Sequence, residues 1–242
     1  MVRAVLFDFG QTLVDSAHGF RTAEKRLQSR ILSRLVNVDA DEFLACYRQR
    51  RAERQHASDF SRKNLAMDLL QHFGCSADVA DADVADAESW EAEYWDTVRG
   101  HTQAFPEAQS VLRQLHASFR LGLVTNTQGQ GRLGTHRLRD FPALMECFQA
   151  VVVAGEAGVP EKPDPRPFLT CLRQLDCSPA QAVYVGDDWR IDMCGAQAVG
   201  MPAIWLQHQA TRRQWPDTAS DVPLIRSLDE LLRFPLLSES ES

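Results

Sequence analysis

The chain has 242 residues, of which 44% are hydrophobic and 24% charged, with a formal net charge of −7. This balance excludes wholesale disorder, and at ~150 residues per domain it suits one core with a large insertion, or two domains. The acidic balance weighs against general binding of nucleic acid or anionic membrane, and no apolar run approaches the ~20 residues that span a bilayer.

Residues 2–9 form an apolar, strand-like run that ends on Asp8 and Phe9. No cleavage-site pattern follows it, so the expected compartment is the cytoplasm. Cys46, Cys75, Cys147, Cys171, Cys177 and Cys194 are scattered without a C-x-x-C pair. Reduced thiols fit this better than a disulfide framework or a zinc cluster. From about residue 22 to 98 the pattern turns helical. Leu27, Ile31 and Leu35 share a face, as do Leu65, Leu69 and Phe73, and then Tyr94 and Val98. Breaks near Asp39, Gly74 and Gly100 divide this block into roughly four helices. Trp90, Tyr94 and Trp95 read as packing, and Arg48, Arg50, Arg51 and Arg54 as a solvated face with local ion pairs.

After Phe105-Pro106 the texture changes again. Helix-length segments alternate with the short apolar runs RLGLVTN, FQAVVVAG, AVYVGDD and PAIWL. Such alternation marks parallel βαβ units, and runs apolar on both faces fit a sheet covered on both sides. SLDELLRF reads as a closing helix. The expected fold is α/β: a doubly wound, Rossmann-like parallel sheet with an all-helical insertion after its first strand. The expected domains are a core of 1–15 and 100–242 and a helical cap of 16–99.

Polar residues gather at the strand ends: Asp8 after the first strand, Thr125 and Asn126 at the second, and Asp187 and Asp188 after the fourth. Ligands of an open parallel sheet bind outside the carboxyl ends of its strands, and Lys162 lies in a loop that reaches the same rim. Several carboxylates in one crevice repel one another unless a cation joins them. A hard ion with oxygen ligands, Mg²⁺, is the expected cofactor.

Four segments, FDFGQTLVDS, LVTNT, EKPDPRPF and VGDDWRIDMCGAQAVGMPAIW, occur in order, each at a strand end or in its loop. In this the chain resembles the haloacid dehalogenase superfamily, in the form that carries a helical cap after the first core strand. The resemblance implies a phosphatase acting on a small phosphorylated metabolite through an aspartyl-phosphate on Asp8. It implies that Lys162 is catalytic and, with Thr125 and Asn126, binds the phosphoryl group. Mg²⁺ would be held by Asp8, the Gly10 backbone carbonyl and Asp187. Asp188 or Asp192 would orient the metal's waters, and His18 and Arg21 would contact substrate from the probable hinge.

One position departs from the pattern. Phosphatases of the superfamily usually carry a second Asp two residues after the nucleophile, as general acid and base, and here that residue is Gly10. General acid–base groups contribute typically ~10²–10⁴-fold. Three expectations follow: a phosphatase for good leaving groups or one with a substitute acid, such as the more distant Asp15; a dehalogenase or phosphonate-cleaving enzyme, for which Lys25 and Lys63 are the lysines of the cap; or a binding module that has lost catalysis. Retention of Asp8, Thr125, Lys162, Asp187 and Asp192 together argues against the third.

Overall fold

The computed structural model describes the chain except residues 57–58, 75–80, 128–136, 212–220 and 239–242. It divides into two compact units. One comprises the described residues of Met1–Ala17, Gln103–Thr127 and His136–Ser242, and the other those of His18–Thr102.

The first unit is built on a six-stranded parallel sheet. Its strands are β1 (Ala4–Phe7), β4 (Arg120–Asn126), β5 (Ala150–Ala154), β6 (Ala182–Gly186), β7 (Ala203–Leu206) and β8 (Leu224–Ile225), in the order β5-β4-β1-β6-β7-β8. A short antiparallel pair, β2 (Val14–Asp15) and β3 (Gln103–Ala104), ties the chain's exit from this unit to its return. The sequence pattern marks neither β8 nor this pair, because two residues are too short to show alternation. SLDELLRF forms a 3₁₀ helix over Leu228–Arg233, opened by Ser227 and Glu230 in a reciprocal cap.

Alternation along β1 builds two apolar layers. Val5 and Phe7 pack with Leu121, Leu123, Val183 and Val185 on one face, while Ala4 and Leu6 join Val124, Tyr184 and Phe168 on the other. Helix α5 (Ala108–His116) covers the first face through Val111, Leu112 and Leu115. Helix α7 (Pro165–Gln174) covers the second through Phe168, Cys171 and Leu172. Asp164 starts α7 by accepting the Arg166 N–H, and Pro165 fills the first helical position. The loop that carries Lys162 is thereby delivered to the Leu6 face. Cys46, Cys147, Cys171, Cys177 and Cys194 are free thiols.

The second unit is helical, with α1 (Ala17–Leu32, entered from the first unit), α2 (Ala40–His56), α3 (Arg62–His72) and α4 (Asp81–Gly100). Leu27, Ile31, Phe43, Leu65, Leu69, Trp90, Tyr94, Trp95 and Val98 form its apolar core. Its half-buried polar centre is Glu24, which accepts from Tyr47 (2.8 Å) and Tyr94 (3.0 Å) and pairs with Arg51 (3.0 Å). Arg54 pairs with Asp59 and Asp68, and Arg50 with Glu53. Among the described residues, no helix is long and apolar enough to cross a membrane.

Candidate active site

Strand register sets the geometry of the rim. Phe7 is level with Leu123 of β4 on one side and with Val185 of β6 on the other. Asp8 follows directly, and Thr125 and Asp187 each stand two residues beyond Phe7's partners. Three polar residues far apart in sequence thus leave adjacent central strands within about one residue's rise, ~3.3 Å. All are buried: Asp8 is 8% exposed, Thr125 3% and Asp187 5%.

Lys162 joins them. Its ammonium donates to Asp8 Oδ1 (2.7 Å), Asp192 Oδ1 (2.7 Å) and the Tyr184 hydroxyl (2.9 Å). These contacts engage all three of its N–H donors. Burial alone would lower the lysine's pKa, but the Asp192 and Asp8 carboxylates outweigh it and hold the group charged. Burial, reinforced by Asp8, pushes the Asp192 carboxyl upward despite the adjacent ammonium.

Asn126, expected to bind phosphate, is bonded through its carboxamide to the Lys162 backbone. Its carboxamide donates to the Lys162 carbonyl (3.2 Å) and accepts from the Lys162 N–H (2.9 Å). It clamps the backbone that carries the ammonium.

Sequence spacing left Asp188 and Asp192 as alternatives, and the backbone separates their parts. Asp188 caps a π-helical turn, Trp189–Met193, accepting from the N–H groups of Arg190 (3.0 Å) and Ile191 (3.1 Å). That turn brings Asp192 back under the rim, 1% exposed, where its Oδ2 accepts from the Asp188 N–H (3.0 Å). The last residue of β6 must be small for this to happen. A Cβ on Gly186 would stand 2.6 Å from both Cγ and Oδ2 of Asp192.

Tyr184 also meets the lysine, although its place in an apolar strand does not mark it as a polar residue of the rim. It packs edge-on against Phe168, with ring centroids 5.0 Å apart, as a core residue would. Its hydroxyl nevertheless accepts from Lys162 and lies 3.1 Å from both Val124 O and Asp192 Oδ1. The available signal was a hydroxyl in an otherwise apolar strand three residues before Asp187.

The remaining candidates have contacts of their own. Asp15 accepts from the Ala17 N–H (2.8 Å) at the start of α1. His18 and Arg21 are exposed on the first turns of α1, and the His18 ring lies 5.0 Å from that of His101 in the helical unit. Lys25 is exposed, and Lys63 pairs with Glu88 at 2.5 Å.

Oxygen atoms of Asp8, Asp187 and Asp192 lie within 4.8 Å of one another. Three carboxylates thus crowd around one ammonium, an arrangement that a divalent cation would relieve. The donors are all oxygen, as a hard cation requires. Both oxygens of Asp192 already accept hydrogen bonds. Asp8 likewise accepts through both oxygens, Oδ1 from Lys162 (2.7 Å) and Oδ2 from the Thr12 hydroxyl (3.5 Å).

Comparison with known proteins agrees with this architecture. Residues 2–200 match the model of the haloacid dehalogenase-like hydrolases. A glyceraldehyde 3-phosphate phosphatase of Methanopyrus kandleri is 29% identical over 231 residues, covering 92% of this chain and 91% of its own. Among solved structures, a phosphatase of the same superfamily from Thermococcus onnurineus superposes with a TM-score of 0.68 at 23% identity, covering 96% of this chain and 97% of its own. A 2-haloacid dehalogenase from Pseudomonas syringae gives 0.64 at 28% identity, with the same coverage. The polar rim of the parallel sheet and the matched span of sequence agree: this chain belongs to the haloacid dehalogenase-like hydrolase family.

Proposed function

We propose that the protein is a Mg²⁺-dependent phosphatase that passes the phosphoryl group of a small phosphorylated metabolite to Asp8 and then to water. The observation that carries this reading is the buried contact between Asp8 Oδ1 and the Lys162 ammonium, set among Asp187 and Asp192 at the carboxyl ends of the central strands. The phosphatase among its full-length relatives supports the same reaction class.

Asp8, the Gly10 carbonyl and Asp187 would hold the metal, which supplies positive charge at the transferring phosphoryl oxygens when bound. The protein's own groups do the rest. Lys162 holds Asp8 aimed, so that one carboxylate oxygen attacks phosphorus. Asp192 and Tyr184 hold Lys162, and Asn126 holds its backbone. The Thr125 hydroxyl binds a phosphoryl oxygen. A carboxylate nucleophile divides one difficult hydrolysis into two easier steps, and most of the acceleration comes from positioning and charge. Substrate choice is assigned to the helical unit as a cap, with His18 and Arg21 as contacts.

The test is phosphate release from acetyl, aryl and sugar phosphates by the purified protein, with and without Mg²⁺. The expected result is release that needs Mg²⁺ and disappears in Asp8→Asn. Release that persists in Asp8→Asn contradicts the proposal. Halide release from a 2-haloacid without phosphate release would place the protein among the dehalogenases.

A further inference from the structure

The strands of the parallel sheet begin at the edge opposite Asp8, and that edge carries an open cavity of about 600 Å³. The volume falls within the ~300–1,000 Å³ of ligand pockets. Val2, Phe119 and Leu175 give the cavity apolar walls, while Arg3, His116 and Arg120 give it basic ones. No carboxylate is among the described residues that line it, although the chain as a whole carries a formal charge of −7. Backbone bonds fix where the arginines stand. The Arg3 N–H donates to Gln181 O (2.7 Å) and the Arg120 N–H to Arg3 O (3.0 Å), so both side chains start from adjacent strands, β1 and β4.

Helices α5 and α7 end at the same edge, and the last carbonyls of a helix attract cations themselves. Arg120 answers those of α7. Its Nη1 donates to Leu175 O and lies 3.4 Å from Asp176 O, and the exposed Asp176 carboxylate is 3.7 Å away. Arg3 has no such duty: its side chain is exposed, and among the described residues it makes no hydrogen bond or ion pair. His116 adds a donor. Gln149 Oε1 accepts the Leu121 N–H (2.6 Å), which turns its Nε2 toward His116 Nδ1 (2.8 Å). When Nδ1 accepts that hydrogen, the neutral ring carries its own on Nε2. Cys147 O, 3.0 Å from Nδ1, can accept from the ring once it is protonated, and the Nε2 hydrogen is kept in that form too.

We infer that this cavity is a second binding site, for a small organic anion with a phosphate-like or carboxylate head and an apolar body. Arg3 pairs with the head, since a guanidinium fork matches either group, and His116 donates to it. Val2, Phe119 and Leu175 take the body. The five steps from Arg3 to Asp8 rise ~3.3 Å each, so about 16 Å separates this site from the nucleophile and both can be filled at once.

The experiment is isothermal titration calorimetry of phenylphosphonate and of benzoate into the full chain, for wild type, Arg3→Glu, Arg3→Lys and Arg226→Glu. Salt is kept low so that charge pairing is not screened. Divalent ions are left out, so that the carboxylates around Asp8 repel the probe. Arg226 is exposed and outside the cavity, and its reversal makes the same change in net charge. The expected result is one site per chain, weakened roughly tenfold or more in Arg3→Glu, as loss of a hydrogen bond to a charged group implies. Arg3→Lys should keep part of the affinity and Arg226→Glu all of it, and the tighter probe identifies the head group. Thermal unfolding of Arg3→Glu should match wild type, which sets aside loss of fold. Equal losses in Arg3→Glu and Arg226→Glu would reduce the binding to overall charge. Absence of heat with either probe at millimolar concentration would leave the cavity without a ligand of this class. Either result overturns the inference.

Discussion

Lys162→Met tests the electrostatics of the site without relying on turnover. The substitution keeps the side-chain length and removes an ammonium that touches Asp8 and Asp192 at 2.7 Å and Tyr184 at 2.9 Å. It leaves two buried carboxylates, 8% and 1% exposed, without the cation that separates them. Removing one partner of a buried ion cluster costs about 3–5 kcal/mol. At roughly 2–4 °C per kcal/mol for a chain of this size, Tm should fall by about 6–20 °C. The assay is thermal unfolding followed by circular dichroism at neutral pH, without divalent ions. Lys25→Met is the control, since an exposed substitution shifts stability by less than about 0.5 kcal/mol. Added Mg²⁺ should narrow the gap between variant and wild type, because it restores positive charge among the same carboxylates. A Lys162→Met loss no larger than the control's would refute the reasoning.

Three further outcomes follow from particular contacts. Gly186→Ala places a methyl 2.6 Å from the Asp192 carboxyl; overpacking of this kind costs about 1–3 kcal/mol, and an unchanged unfolding midpoint would contradict the geometry. Tyr184→Phe keeps the packing on Phe168 but removes the hydroxyl beside Lys162 and Val124 O, so unfolding in denaturant should show a loss of about 1–3 kcal/mol, and a neutral result would show that the hydroxyl is dispensable. Burial raises the Glu161 carboxyl from its ordinary 4.5 to about 7. The folded chain therefore keeps a proton that the unfolded chain releases, and the resulting stability is full below pH 4.5 and lost as pH rises through about 7. Glu161→Gln should flatten the stability curve across that window, and an unaltered pH slope would count against the assignment.

The α/β core was legible because its strands are short apolar runs spaced by helices, and the strand-end rule then collected Asp8, Thr125 and Asp187 onto one edge. What escaped the sequence depends on contacts that periodicity does not encode. Tyr184 reads as a core aromatic, since its ring is one, and only the arrival of Lys162 from another loop gives its hydroxyl a purpose. Asn126 and Lys162 are 36 positions apart, so nothing local announces that the carboxamide holds the lysine backbone. Asp188 and Asp192 were inseparable until the π-helical turn sent one to the helix start and the other beneath the rim.

The central claim is that Asp8 carries the phosphoryl group, and the most direct measurement is mass spectrometry of peptides from protein quenched in acid during turnover of acetyl phosphate. The account predicts one added phosphoryl group on the peptide containing Asp8, absent from Asp8→Asn and from enzyme stripped of divalent ions. Steady phosphate release with that peptide unmodified, or with the label on another residue, would contradict it.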